Sequence, residues 1–429
     1  MLAIHSHPAR PTLAVDEELS VRGVVHRLRA LRGVAFLHLR LPEALIQVVW
    51  EGPLPPGLRE QSAVAVSGRC VPARLREAAL THRTLEVRAT ALEVLSTPSQ
   101  PMPIDVTKPT LSAGGAAVYD HRALSLRHPR VQAVFRVQQA VLCGFREALF
   151  AEGFTEIHSP KLGAEGAEGG AEVFELEYFG RRATLAQSPQ LYKELCTGAF
   201  LRVFEVGPVF RAEKHATSRH LAEYTSLDLE MGPIASFTEV MAMQVRVLAH
   251  AFGRVRETCG HALELLGASV PEVFSVPAIP FAEAKARIGG SPTHDLSPAE
   301  EQALCQSVCE ETGSELVFVT HYPSSKRPFY TMDVPGSEHE TCSFDLLFRG
   351  VEITTGGQRI HEREALVAKL AARGMNPDAF AFFHTTHGYG LPPHGGLGMG
   401  LERLTAQLLG LANIREACLF PRDRSRLTP

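Results

Sequence analysis

The chain has 429 residues, with 45% hydrophobic and 21% charged side chains and a formal net charge of −4. That length allows two or three domains, and the composition is that of a globular protein rather than a disordered one. No uninterrupted apolar run is long enough to span a bilayer, and the opening MLAIHSHPARPTL lacks the apolar core of a signal peptide. Eight scattered cysteines show no paired framework, which fits free thiols in a reducing cytosol. Cys305 and Cys309 stand four apart on an expected helix, but no second Cys or His pair lies near to complete a metal site. Charge is uneven. Residues 1–100 hold 12 Arg, no Lys and 9 acidic residues, a balance of +3 on an otherwise acidic chain. A basic first part could seat a polyanion; plain scatter of surface charge is the alternative.

From residue 20 the chain reads as five short strands: Val21–Leu28, Val34–Leu41, Ile46–Trp50, Ala63–Cys70 and Leu85–Leu95. Gly33, Gly52, Pro53, Pro55, Pro56, Gly57 and Gly68 punctuate them. Five strands in so short a stretch suit a small closed barrel of the OB type, a common binder of single-stranded nucleic acid. His26 and Phe36 are candidates to stack on bases, although either could be ordinary core or surface. Residues 96–118 are rich in Pro and Gly and read as a linker.

A helix is expected from Val131 to Glu152, with apolar residues at helical spacing and Gly153 as its stop. Phe154–Pro160 is extended. Residues 163–172, GAEGAEGGAE, carry too many glycines for a helix and suit either a flexible loop or a lid over a ligand. Gln187–Lys193 reads as a turn entering a helix.

Phe200–Gly232 then reads as an antiparallel hairpin, an apolar run to Phe210 returning through Tyr224–Met231. Arg211 and Glu213, two apart, would share a strand face. Alone, such a hairpin is plain sheet surface; with a suitable ligand, Arg211 would hold a phosphate and Glu213 a base amino group. Helices are expected over 236–267 and 297–312, and strands at Leu316–Thr320, Pro328–Met332, Phe344–Phe348 and Val351–Thr354. The chain closes with GGLGMGLER at 395–403. Its glycines lack dinucleotide-binding spacing but let a backbone approach a flat ring.

Three stretches carry a family resemblance in the right order. Phe154–Pro160 resembles motif 1 of the class II aminoacyl-tRNA synthetases, Phe204–Glu213 with Tyr224–Glu230 resembles motif 2, and Gly398–Arg403 resembles motif 3. Within that class the chain is most similar to archaeal-type aspartyl-tRNA synthetases. The shared words are QSPQLYK at 187–193, FRAEKHATSRHLAEYTSLDLEM at 210–231, RPFYTM at 327–332, SFDLLFRGVEITTGGQRIHE at 343–362 and FPRDRSRLTP at 420–429. The interval between motifs 2 and 3 is too short for the bacterial insertion.

The resemblance implies an α+β fold: an OB-fold anticodon-binding domain over 1–97, a hinge over 98–125, and a catalytic domain of antiparallel sheet flanked by helices over 126–429. It implies ATP and L-aspartate as substrates, Mg²⁺, tRNA(Asp) as acceptor, and a homodimer with Pro160 at the contact. Arg211 would hold the α-phosphate and the reacting carboxylate. Glu213, Arg219, His220, Leu221 and Glu352 would bind ATP, with Gly400, Leu401 and Glu402 beneath adenine and Arg403 on the γ-phosphate. Asp345, Glu352 and Thr355 would hold the metal; Thr355 stands where Ser is usual in the family. Lys193 and Arg359 would grip the aspartate side chain, and Gln190, Asp228 and Glu168 its α-ammonium group. His26 and Pro72 occupy anticodon-reading positions and lean toward the form that also charges tRNA(Asn), whose product an amidotransferase then converts. The rival readings are an asparaginyl enzyme, an ammonia-dependent asparagine synthetase on the same frame, and an inactive synthetase-like RNA-binding protein.

Overall fold

A computed structural model describes residues 13–111, 114–164, 172–214, 217–291, 294–337 and 339–429. The chain divides into two compact units between Ala133 and Val134. In the first, strands β1 (Glu18–Leu31), β2 (Val34–Arg40), β3 (Leu45–Glu51), β4 (Ala63–Pro72) and β5 (Leu85–Ser96) close into a barrel in the order β1-β2-β3-β5-β4. Four of them contain an expected strand whole, and β2 ends one residue short of its own, at Arg40. Strand β1 is longer than expected because two neighbours share it. Its first half pairs with β4 and its second with β2, and a bulge between Val25 and Arg27 turns it from one to the other. Alternation fills the barrel: Val25, Leu37, Val48, Val64, Val66 and Val87 meet inside. Two short helices, α1 (Gly115–Asp120) and α2 (Arg122–Ser125), come at the end of the Pro- and Gly-rich stretch beyond β5 and just after it.

Helix α3 (Pro129–Ala151) leads into the second unit and ends before Gly153, whose φ of +79° turns the chain. An eight-stranded sheet follows. Its strands are β6 (Thr155–Glu156), β10 (Arg202–Phe210), β11 (Glu223–Met231), β12 (Ala278–Pro280), β13 (Leu316–Thr320), β14 (Ser343–Phe348), β15 (Val351–Gln358) and β16 (Gly395–Gly400). The order is β12-β13-β14-β15-β16-β11-β10-β6. All pairs are antiparallel except β12 with β13 and β10 with β6. A small sheet of β7 (Leu162–Gly163), β9 (Arg181–Leu185) and β8 (Glu175–Tyr178) stands apart. Helices α4 (Gln190–Phe200), α5 (Thr238–Thr258), α6 (Gly260–Leu266), α7 (Phe281–Arg287), α8 (Pro298–Thr312), α9 (Arg363–Ala372), α10 (Ala381–His387) and α11 (Leu401–Leu409) complete the unit.

Two expectations are corrected. The helix expected over 236–267 is two helices, because Cys259 leaves helical geometry at φ −113° and ψ 20° before Gly260. Pro328–Met332 is no strand. Pro328 has no N–H to give a ladder, and the segment instead turns so that the Thr331 amide donates to the Pro328 carbonyl. Helix α9 clamps this turn. Lys369 donates to the Thr331 carbonyl and the Asp333 carboxylate, and Arg373 donates to the carbonyls of Arg327 and Ser324. All eight cysteines carry free thiols, and no described helix is long and apolar enough to cross a membrane.

Candidate active site

The site is built on sheet register. Asp228 of β11 lies opposite Gly398 of β16, Gly398 opposite Thr355 of β15, and Thr355 opposite Asp345 of β14. The next row on the same face runs Glu230, Gly396, Gly357, Ser343. Period-two alternation places Gly396, Gly398 and Gly400 on this one face, while Leu397 and Met399 turn away into the core. Glycine is required at Gly396, tight at Gly398, and not forced by space at Gly400. A Cβ on Gly396 would stand 2.1 Å from Glu230 Oε2 and 2.2 Å from the Leu229 carbonyl, and one on Gly398 would stand 3.1 Å from Asp228 Oδ1. Gly396→Ala is therefore expected to cost about 1–3 kcal/mol of stability, read by denaturant unfolding. A stability unchanged within about 0.5 kcal/mol would show that the row relaxes freely.

A cavity of about 440 Å³ opens over this floor. Gln190, Arg211, Glu213, Arg219, His220, Leu221, Asp228, Glu352, Thr355, Arg359, Gly400, Glu402 and Arg403 all line it. Lys193 and Asp345 lie buried just behind its wall, each through a contact with a lining residue, Asp228 and Arg327. Leu401 is buried at the start of α11. Glu168 falls outside the described residues.

On one side the charges interlock. Lys193 Nζ donates to Asp228 Oδ1 and to the Leu397 carbonyl, both at 2.9 Å, and lies 3.4 Å from Glu230 Oε2. Arg359 Nε donates to Glu230 Oε1 at 2.9 Å, and its Nη2 reaches Glu230 Oε2 at 3.4 Å. The Arg359 guanidinium also stands 5.4 Å over the Tyr330 ring. Glu230 is 0% exposed. Burial pushes its carboxyl up, but Arg359, Lys193 and His394 together hold it below the usual range. Burial alone would lower the Arg359 pKa, but Glu230 and Glu194 raise it and keep the guanidinium charged. Glu194 and His394, both 0% exposed, add a third opposed pair at 3.3 Å.

On the other side lie the groups expected at the nucleotide. The strand ends at Phe210, so Arg211 and Glu213 project from a turn rather than from β10. That turn is fixed by the Arg211 amide donating to the Ala222 carbonyl and the Glu213 amide to the Arg211 carbonyl. The C-terminal segment braces the returning loop: the Ala222 amide donates to the Arg422 carbonyl, Arg415 to the Thr217 carbonyl and Arg424 to the Lys214 carbonyl. Arg211 stands 5.9 Å from the Tyr224 ring centre. Arg403, in the first turn of α11, donates to the Glu352 carbonyl at 2.9 Å. Glu402 accepts from the Thr225 amide, and burial pushes it up to about 7. Arg219 reaches Glu301 of α8 at 3.2 Å. Burial, with Glu352 close by, pushes Glu301 up to about 7.

Glu352 and Thr355 are three apart, which would place them on opposite faces of a regular strand. The bulge at Leu346–Leu347 shifts the register, and Thr355 Oγ1 donates to Glu352 Oε1 at 3.0 Å. The methyl of threonine does not block that geometry. Among the described residues no group of three or more His, Cys, Asp or Glu could hold a metal unaided. One or two carboxylates plus substrate phosphates is the usual Mg²⁺ arrangement, and Glu352 with Thr355 at the cavity wall fits it. Asp345 is engaged by Arg327 at 2.8 Å. Burial pushes Asp345 up to about 6, with Glu352 adding to the rise and Arg327 opposing it.

Sequence reasoning passed over Glu230, Glu194, His394, Arg327 and Glu301. Alternation could have found Glu230, two residues beyond Asp228 on the same strand face. Glu194 could have been reached from Gln190 at one helical turn. His394 and Glu301 carry no such signal. In the barrel, His26 lies at the β1 bulge, buried, with its ring pushed down to about 4 by burial and the nearby Arg40. It is therefore an interior ring and not a surface stacking partner. Phe36 is half-buried on β2, and Pro72 is exposed at the end of β4.

A closed five-stranded OB-like barrel followed by this largely antiparallel sheet and glycine-floored cavity defines a class II synthetase architecture. Residues 116–424 match the family described as tRNA synthetases class II (D, K and N), and the chain belongs to it. The aspartate–tRNA(Asp/Asn) ligase of Thermus thermophilus is 45% identical over 97% of each chain. The aspartate–tRNA(Asp) ligase of Pyrococcus abyssi is 38% identical over 96% of each. Among solved structures, asparaginyl-tRNA synthetase from Pyrococcus horikoshii complexed with asparaginyl-adenylate is similar at a TM-score of 0.87 and 28% identity, over 97% of both chains. A putative aspartyl-tRNA synthetase from Leishmania major Friedlin is similar at 0.84 and 29%, over 97% of this chain and 92% of that one.

Proposed function

We propose that this chain is an aspartate–tRNA ligase that joins L-aspartate to tRNA(Asp) through aspartyl-adenylate, with tRNA(Asn) as a second acceptor. The observation that carries the reading is Arg359. Its guanidinium lines the cavity, is 4% exposed, and is held by the buried Glu230 carboxylate with Lys193 alongside. Such a group suits a substrate carboxylate. Asparagine, nearly the same shape, would face those cations with a neutral amide and lose charge-assisted partners.

The substrate supplies the nucleophile in both steps, so the protein's work is positioning and charge stabilisation. In the first, an aspartate α-carboxylate oxygen forms a bond to the α-phosphorus as the bond to pyrophosphate breaks. Arg211 spans the two reacting anions, and Arg403 holds the terminal phosphate. Glu213 accepts from the adenine amino group over the Gly400–Glu402 backbone. Glu352 and Thr355, with Asp345 behind them, would hold Mg²⁺, which when bound would neutralise phosphate charge. In the second, a ribose hydroxyl of the tRNA 3′ end attacks the carbonyl carbon and AMP leaves. Gln190 and Asp228, with Glu168, receive the α-ammonium group.

The barrel is the natural seat of the anticodon, and with His26 buried the reading of tRNA(Asn) rests on the exposed Pro72 and on relatives named for both tRNAs. A homodimer is inferred through the edge strand β6 near Pro160, where Phe150, Phe200 and Leu201 stand exposed. The inferred compartment is the cytoplasm, with a tRNA-dependent amidotransferase acting on any aspartyl-tRNA(Asn). The test is aminoacylation of purified tRNA(Asp) and tRNA(Asn), each offered aspartate or asparagine. Aspartate on both is expected. Asparagine-dependent charging would overturn the amino-acid assignment, and aspartate on tRNA(Asp) alone would overturn the second acceptor.

A further inference from the structure

We propose that Glu194, backed by His394, is a positioning residue for the amino-acid substrate: it fixes which end of the Gln190 amide faces the cavity. This rests on the reading above, in which Gln190 receives the α-ammonium group. Gln190 opens α4 and Glu194 follows one turn later on the same helix face. Gln190 Nε2 donates to Glu194 Oε1 at 2.6 Å. An ionised carboxylate only accepts, so the amide is held by its nitrogen. Its oxygen turns the other way, where Arg359 Nη2 reaches it at 3.5 Å, and Gln190 lines the cavity. A flipped amide would set its oxygen against the carboxylate and its NH₂ against the guanidinium. Both contacts would be repulsive. The group offered to a ligand is thus an acceptor, which suits an ammonium and disfavours an anionic or carbonyl oxygen.

A carboxylate as fully buried as Glu194 is costly without a counter-charge. His394 supplies it. Its Nδ1 lies 2.8 Å from the Pro392 carbonyl and its Nε2 3.3 Å from Glu194 Oε2. Both partners only accept, so an imidazole serving both carries a proton on each nitrogen. Burial alone would lower the His394 pKa, yet the bond to Glu194 and the charges of Glu194 and Glu230 raise it. Neither Glu194 nor His394 lines the cavity, so their hydrogen-bonded route to the substrate is Gln190, beside a field that Glu194 exerts on Arg359.

The test uses the full chain in aspartate-dependent ATP–pyrophosphate exchange, with succinate as competitive inhibitor. Succinate keeps both carboxylates and lacks the ammonium. Glu194→Ala is expected to raise KM for aspartate at least about tenfold, the scale of a lost hydrogen bond to a charged group. The KM for ATP and the Ki of succinate should stay within about twofold. Gln190→Ala should show the same pattern, and the double variant should be no worse than Gln190→Ala, because one interaction is being removed twice. Glu194→Gln should restore aspartate KM to within about threefold, since its carbonyl can still accept from Gln190 while its NH₂ donates to a singly protonated His394. His394→Gln is a second route, expected to weaken aspartate and spare succinate should Glu194→Ala not fold. Parallel loss of succinate, additive single variants or an unchanged aspartate KM would overturn the proposal. A wild-type chain that shows no aspartate-dependent exchange, or a Gln190→Ala variant with unchanged aspartate KM, would instead overturn the underlying reading of the site.

Discussion

Arg359→Leu is expected to lower kcat/KM for L-aspartate by about 10²–10³-fold while leaving ATP binding within about threefold. The scale follows from breaking a buried charge pair, about 3–5 kcal/mol. Arg359 meets Glu230 through two contacts at 2.9 and 3.4 Å and turns the rest of its fork toward the cavity. Arg359→Lys should recover little, because an ammonium cannot hold Glu230 and a substrate carboxylate in one plane. Arg359→Leu also leaves Glu230 buried with Lys193 and His394 alone to offset its charge, so stability should fall as well. Adding Glu230→Gln removes the stranded charge. The double variant is expected to regain most of the stability and none of the aspartate activity. That split, read by denaturant unfolding beside pyrophosphate exchange, separates substrate recognition from structural support. Equal losses for aspartate and ATP would refute the assignment.

The division between what the sequence announced and what it hid follows from how each feature is encoded. The barrel strands, the hairpin and β13 to β15 were legible because their apolar runs end at Gly and Pro, and these boundaries moved by only a few residues. Arg211, Arg403 and Glu352 were legible through short motifs in order. Pro328–Met332 misled because its aromatic residues look like a strand, while the clamp that makes it a turn comes from Lys369 and Arg373, some forty residues further on. Glu352 and Thr355 acquire a common face only through a bulge in the ladder, which no spacing rule reveals. Glu230 and Glu194 read as ordinary polar residues of a strand and a helix. Their burial depends on glycines in β16 and on His394, more than 150 residues away in sequence. Charge networks of this kind are properties of register, and register is settled by the whole sheet rather than by any one strand.

The second large effect is expected at Arg211. Arg211→Gln should reduce kcat for adenylate formation by about 10²–10³-fold, the scale seen when a preorganised donor at developing charge is removed. The reason is placement. Arg211 is the first residue beyond β10, its amide tied to the Ala222 carbonyl, in a loop that the C-terminal segment braces through Arg422, Arg415 and Arg424. A guanidinium carried on so fixed a backbone, beside the Tyr224 ring, need reorganise little as the α-phosphorus gains charge, and its loss falls on the transition state more than on ground-state binding. Arg211→Lys should remain strongly impaired, since one ammonium cannot bridge phosphate and carboxylate as a planar fork does. Arg403→Gln, which touches only the far phosphate in this reading, should instead raise KM for ATP more than it lowers kcat. Single-turnover adenylate formation at saturating ATP distinguishes the two. If Arg211→Gln forms adenylate at the wild-type rate once saturated, the group merely gathers substrate, and the charge stabilisation must come from elsewhere in the cavity.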